Sequence, residues 1–219
     1  MRSALRVWLS SVGRKAIMAV TGLVFCGYVL AHMAGNMLLY KGPAAINAYA
    51  AGLHAMPTLL WLARLALIGA AALHVWAATS LTITNWRARP LAHSQQDYLV
   101  ATYASRTMIW SGPILGLFVI YHLAHLTLGT AYPADFIAGD VYHNVVRGFQ
   151  RPVVSGFYIV AMLALGLHLY HGAWSMLQSL GVNHPRYNGI RKVAAILFAL
   201  AVSGGNISFP IAVLTGFVR

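Results

Sequence analysis

The chain has no glutamate and only three aspartates, Asp97, Asp135 and Asp140, among 219 residues. Charged residues are 8% of it, where a soluble domain carries about a quarter. That scarcity of charge excludes an ordinary water-soluble domain and describes a membrane protein. A single cysteine, Cys26, excludes an intrachain disulfide and a cysteine-ligated metal cluster, and it is read as a packing residue. The net charge of +12 does not indicate a nucleic-acid partner, because the basic residues are spread over short loops between apolar runs. No domain linker or low-complexity run is present, so the chain is read as one transmembrane domain over 1–219.

What is abundant is apolar sequence, at 59% of residues. Five runs reach the roughly 20 residues needed to cross a bilayer. They predict an all-α bundle with spans at 16–40, 59–84, 107–129, 153–179 and 193–217. The first run is basic and then apolar, like a signal sequence, but continues too far and is read as a retained span. The stretch before it is short and amphipathic, with Trp8 and Leu9 at the interface. A short surface helix is expected in the first loop, ending before Pro57, and Gly204, Gly205 and Pro210 are expected to distort the last span.

Loop charge sets the expected orientation. With the N-terminus inside, the inner segments hold Arg2, Arg6, Arg14, Lys15, Arg87, Arg89, Arg106, Arg186, Arg191 and Lys192, and the outer ones Lys41, Arg64, Arg147, Arg151 and Arg219. That bias predicts a multi-pass protein with its N-terminus inside and its C-terminus outside. Arg64 can snorkel to the outer interface.

Four of the five runs carry a histidine well inside: His32, His74, His122 and His168. An imidazole in lipid without partners costs a few kcal/mol, so one per consecutive span needs a reason. At 1.5 Å per residue, His32 and His122 lie about 25 and 22 Å from the inner ends of their spans, and His74 and His168 about 15 and 17 Å. The four therefore sort into two layers of two. Imidazole is a good axial ligand for haem iron, and helical bundles build such sites from facing side chains. Two stacked b haems with paired histidine ligands would have no open coordination position and would carry electrons. His125 and His171 follow His122 and His168 by three residues on the same helix face, so either member of each pair is available as the ligand. His122 and His168 are preferred, with His125, His171, Arg14, Lys15 and Arg106 as candidates for haem carboxylates. Gly35, Gly116 and Gly172, near the histidines, would admit a porphyrin edge or serve plain helix packing.

The segments VTGLVFCGYVLAHMAGN, GPAAINAYAAGLHAMP, ALHVW, RTMIWSGPILGLFVIYH and FYIVAMLALGLHLYHGAWSM, in this order and spacing, resemble the cytochrome b558 family. These are single-chain, five-helix, dihaem membrane subunits of succinate dehydrogenase and fumarate reductase. The His168, Gly172, Trp174 pattern is the most specific piece. The resemblance implies His32, His74, His122 and His168 as ligands, paired first helix with third and second with fourth. It also implies a flavoprotein subunit and an iron–sulfur subunit as partners, with menaquinone or another quinone as electron acceptor or donor. This chain has none of the parts for dicarboxylate chemistry, so its share would be electron transfer, quinone chemistry and anchoring. Some members carry a glutamate two residues before the fourth histidine; Gly166 stands there, and no span holds a carboxylate. Others carry an acid in the first outer loop beside a quinone; His54 stands there. Asn36 and Tyr40, further out than His32, join it as candidate quinone contacts. A cytochrome b subunit of a hydrogenase or formate dehydrogenase, and a haem-free anchor, are the competing readings.

Overall fold

The computed structural model describes residues 10–88 and 103–219, with helix backbone alone at 103–106. Within them the chain is all-α. Five helices are long and apolar enough to cross a membrane: α1 (Ser11–Asn36), α3 (Pro57–Arg87), α4 (Tyr103–His122), α6 (Pro152–Ser179) and α7 (Pro185–Leu214). Two shorter helices, α2 (Pro43–His54) and α5 (Val141–Phe149), lie between them. The protein is a multi-pass membrane protein by this architecture. Its exposed side chains agree: Leu62, Leu65, Ile68, Leu117, Ile120, Leu197 and Leu200 are each more than half exposed, as lipid-facing residues must be.

Local chemistry fixes the boundaries. Helices α2, α3, α6 and α7 all open with proline in the first turn, where its missing N–H has no helical partner to lose. Helix α1 is capped by Ser10, whose hydroxyl accepts from the Gly13 amide at 3.1 Å. It therefore starts five residues earlier than the apolar run alone suggests, and α7 starts eight earlier, at Pro185. The surface helix expected before Pro57 is α2. Helix α7 runs unbroken past Gly204, Gly205 and Pro210. The amphipathic segment with Trp8 and Leu9 lies outside the described residues.

Close packing joins α6 to α7, α4 to α6, and α1 to both α3 and α6. One end of the bundle is capped by α2, the loop 128–140 and α5. Gly129 turns the chain into that loop at φ +70°, and a Cβ there would sit 2.3 Å from Phe136 Cγ, so glycine is required twice over. Buried Asn144 closes the loop, donating to the Ile137 carbonyl at 2.8 Å and accepting from its amide at 2.9 Å. Asp135 pairs with Arg147 and Arg151.

Asn47 joins α2 to α5. Its amide donates to Asp140 at 2.9 Å and its carbonyl accepts from the Tyr142 amide at 3.0 Å. Asp140 caps α5 by accepting from the His143 amide at 3.0 Å. These bonds, the His143 amide first and Asn47 second, hold its carboxyl below the ordinary value of 3.8. A depressed carboxyl adds stability that is present above its ordinary pKa and is lost as pH falls through the folded value. Limited proteolysis between 130 and 150 should therefore accelerate as pH drops below about 4. Asp140→Ala should show the fast pattern already at pH 7, at a cost of about 1 kcal/mol to the cap.

Candidate functional site

The four span histidines meet in two pairs. His32 on α1 and His122 on α4 have ring centroids 5.8 Å apart. His74 on α3 and His168 on α6 have theirs 6.4 Å apart. Neither pair joins closely packed helices: α1 packs on α3 and α6, and α4 on α6, so the imidazoles reach across the gaps that remain. Imidazole–metal bonds are about 2 Å long, so ring centres about 6 Å apart match the spacing of two imidazoles on one metal ion. Among the described residues no group of three or more histidine, cysteine or carboxylate side chains could hold a metal; the donors come in twos.

The two pairs lie at different depths. Thr21 touches His74 and is eleven residues before His32; Ser111 touches His168 and is eleven before His122. Both helices thus give a separation of about 16 Å along the bundle.

Neighbouring hydroxyls set which nitrogen is free in three of the four rings. Thr21 donates its one hydroxyl proton to the Ile17 carbonyl at 2.8 Å, so its oxygen accepts from His74 Nδ1–H at 2.9 Å. That tautomer leaves a lone pair on Nε2 for a metal. Ser111 Oγ lies 3.1 Å from His168 Nδ1 and serves the same way. On the other pair, Tyr158 OH is shared between His125 Nδ1 at 2.9 Å and His122 Nδ1 at 3.3 Å. A phenol has one proton; given to the nearer His125, it leaves Tyr158 oxygen to accept from His122 and again frees His122 Nε2. His32 stacks on Tyr28, with centroids 5.5 Å apart. Thr21, Ser111 and Tyr158 are functional candidates that the sequence reading did not single out; a hydroxyl one helix away at the depth of a histidine was the available signal.

The alternative histidines are placed differently. His125 belongs to a π turn, Leu123–Thr127, that ends α4. It is buried against Tyr121, Tyr132 and Tyr158, and a Cβ at Gly148 would lie 2.5 Å from its ring. It is thus the seat of α5 and not beside His32. His171 is half-buried on α6, and His168 is the residue whose ring faces His74.

Arg14 is already engaged: its guanidinium donates to Ser80 Oγ at 2.5 Å and Thr84 Oγ1 at 3.1 Å, tying α1 to α3. Lys15 is exposed, and the Arg106 side chain lies outside the described residues. Asn36 ends α1, whereas Tyr40 lies on the 3-10 turn Met37–Lys41 beyond it. Tyr40 donates to Ser208 Oγ at 2.6 Å and packs on Phe209. His54 ends α2, exposed, with Nδ1 2.9 Å from the Ala50 carbonyl. A cleft of about 700 Å³ in the cap is lined by Asp135, Asp140, His143, Arg147 and Arg219, and by none of these three. Arg64 lies over Trp61, 5.1 Å from the ring centre. Gly35 is filled by Tyr49, whose ring would be 2.8 Å from a Cβ there, so it serves helix packing; at Gly116 and Gly172 a Cβ would meet nothing within 4 Å. Cys26 packs against the cluster of Leu169, Ala199 and Val202.

Comparison with protein-family models, with curated proteins and with solved structures found no match to this chain.

Proposed function

We propose that this chain is the dihaem cytochrome b membrane subunit of a succinate:quinone oxidoreductase or fumarate reductase, of the b558 type. The observation that carries this reading is the pairing of four span histidines, two by two, about 16 Å apart along the bundle. The residues fit two haems: His32 with His122 would hold one, and His74 with His168 the other. Haem held there by two imidazoles would supply one-electron transfer. Thr21, Ser111 and Tyr158 orient the imidazoles of His74, His168 and His122 through Nδ1 and keep their Nε2 unprotonated. The lipid-facing helices exclude water from both pairs and anchor the chain.

The capped end is the outer side in this reading. Electrons enter from an iron–sulfur subunit docked at the opposite end, near the N-terminus of α1, and a flavoprotein subunit carries the dicarboxylate chemistry. Quinone, menaquinone in the first instance, exchanges electrons near the outer pair. His54, exposed at the end of α2, exchanges protons with it in place of a carboxylate.

A reduced-minus-oxidised spectrum of the purified chain tests the reading directly: two b-type components are expected, and a chain that binds no haem overturns it and leaves the haem-free anchor. Within the assembled complex, His54→Leu should slow quinone turnover while leaving both haem spectra and dye-linked succinate oxidation unchanged. Unchanged quinone turnover removes His54 from the site.

A further inference from the structure

Arg191 lies two turns into α7, at the end of the bundle opposite the cap, and is 7% exposed. Its position is built. The guanidinium lies over Trp174 of α6, 4.9 Å from the ring centre. Nη2 donates to the side-chain carbonyls of Asn183, at 3.2 Å, and Asn188. Nε and Nη1 are buried with no acceptor among the described residues. A buried guanidinium with idle donors is a costly arrangement unless an anion completes it. No described carboxylate is available, since Asp135 pairs with Arg147 and Arg151, and Asp140 caps α5, both in the cap at the far end.

The surroundings indicate which anion. Near Arg191 in sequence, Arg186 and Lys192 are exposed, Arg186 lies 5.9 Å from the ring centre of Tyr187, and Val182 and Ile190 are exposed as well. Cations, an aromatic pair and exposed aliphatic side chains at the end of two spans match a phosphate above and acyl chains below. The geometry points to a binding site for the phosphate of an anionic phospholipid, with Arg191 as its buried donor and Trp174, Asn183 and Asn188 as the residues that position it. This site does not depend on the electron-transfer reading.

The test compares the full-length chain with Arg191→Gln, Arg191→Lys and Asp97→Asn, each delipidated in mild detergent. Phosphatidylglycerol is then added, or phosphatidylcholine as the zwitterionic control. Bound lipid is read by native mass spectrometry and Tm in parallel. The native chain and Asp97→Asn should retain phosphatidylglycerol in preference to phosphatidylcholine and gain Tm with it. Arg191→Gln should bind it about tenfold more weakly, the effect of losing a charge-assisted hydrogen bond, and Arg191→Lys should fall between. Equal response of the native chain to both lipids overturns the proposal. So does Asp97→Asn reproducing Arg191→Gln, which makes Asp97 the counter-ion. A third overturning result is Arg191→Gln keeping its lipid while losing haem absorbance, which assigns the guanidinium to a prosthetic carboxylate. If Arg191→Gln does not fold, the lipid selectivity of the native chain and the Arg191→Lys affinity decide.

Discussion

Replacing His32 or His122 with alanine should remove one haem component from the reduced spectrum and leave the other, and replacing His74 or His168 should do the reverse. The expectation follows from the pairing. Each ring faces a single partner across a gap between helices, and with one imidazole removed the remaining one cannot make a six-coordinate low-spin iron. The two variants of a pair should therefore look alike, and variants of different pairs should not. His125→Ala and His171→Ala should keep both components, because neither ring is the one that faces across its gap. Thr21→Val and Ser111→Ala remove hydroxyls beside Nδ1 of His74 and His168 and should weaken haem retention of that pair about 10–100-fold without abolishing it. Far-ultraviolet circular dichroism checks that helix content is unchanged. His168→Ala retaining both components while His171→Ala loses one would reverse the ligand assignment.

The sequence carries the spans and the histidine layers because both depend on short-range rules: an apolar run of sufficient length, and 1.5 Å of rise per residue along one helix. The prolines at 43, 57, 152 and 185 mark helix starts for a similarly local reason. What was not legible depends on which helices become neighbours. Helix α5 exists because Asp140 caps it and Asn47 reaches over from α2, a contact 93 residues apart in sequence that no local pattern announces. The space beside Gly35 is filled by Tyr49, again a matter of how α2 folds back. Arg14 reads as a free basic residue near the membrane boundary until Ser80 and Thr84 are brought to it by the α1–α3 packing. In the sequence Arg191 is one more loop charge, and its burial under Trp174 follows from the turn between α6 and α7. The π turn after His122 is equally hidden, since a widened turn leaves no signature in residue type.

That π turn makes Gly148→Ala a disruptive substitution out of proportion to its size. Any Cβ at 148 would lie 2.5 Å from Cε1 and Nε2 of His125, well inside van der Waals contact. His125 has nowhere to retreat. It is held by Tyr158 OH at 2.9 Å and boxed by the rings of Tyr121 and Tyr132. Either α5 lifts from the bundle or the imidazole leaves Tyr158. Overpacking of this kind costs about 1–3 kcal/mol, and the second route also frees the Tyr158 proton that His125 accepts, which alters the hydrogen bond between Tyr158 and His122. Gly148→Ala should lower the Tm of the chain and disturb the haem component of the His32–His122 pair, leaving the His74–His168 component unchanged. The decisive measurement is a double-mutant cycle. His125→Ala alone opens a cavity and should also destabilise, but in that background the methyl group at 148 has space, so adding Gly148→Ala should cost little. The two substitutions should therefore be strongly non-additive, with a coupling of about 1 kcal/mol or more in the compensating direction. Additive losses would mean that the imidazole does not rest on residue 148, and that α5 is seated by Asn47 and Asp140 alone.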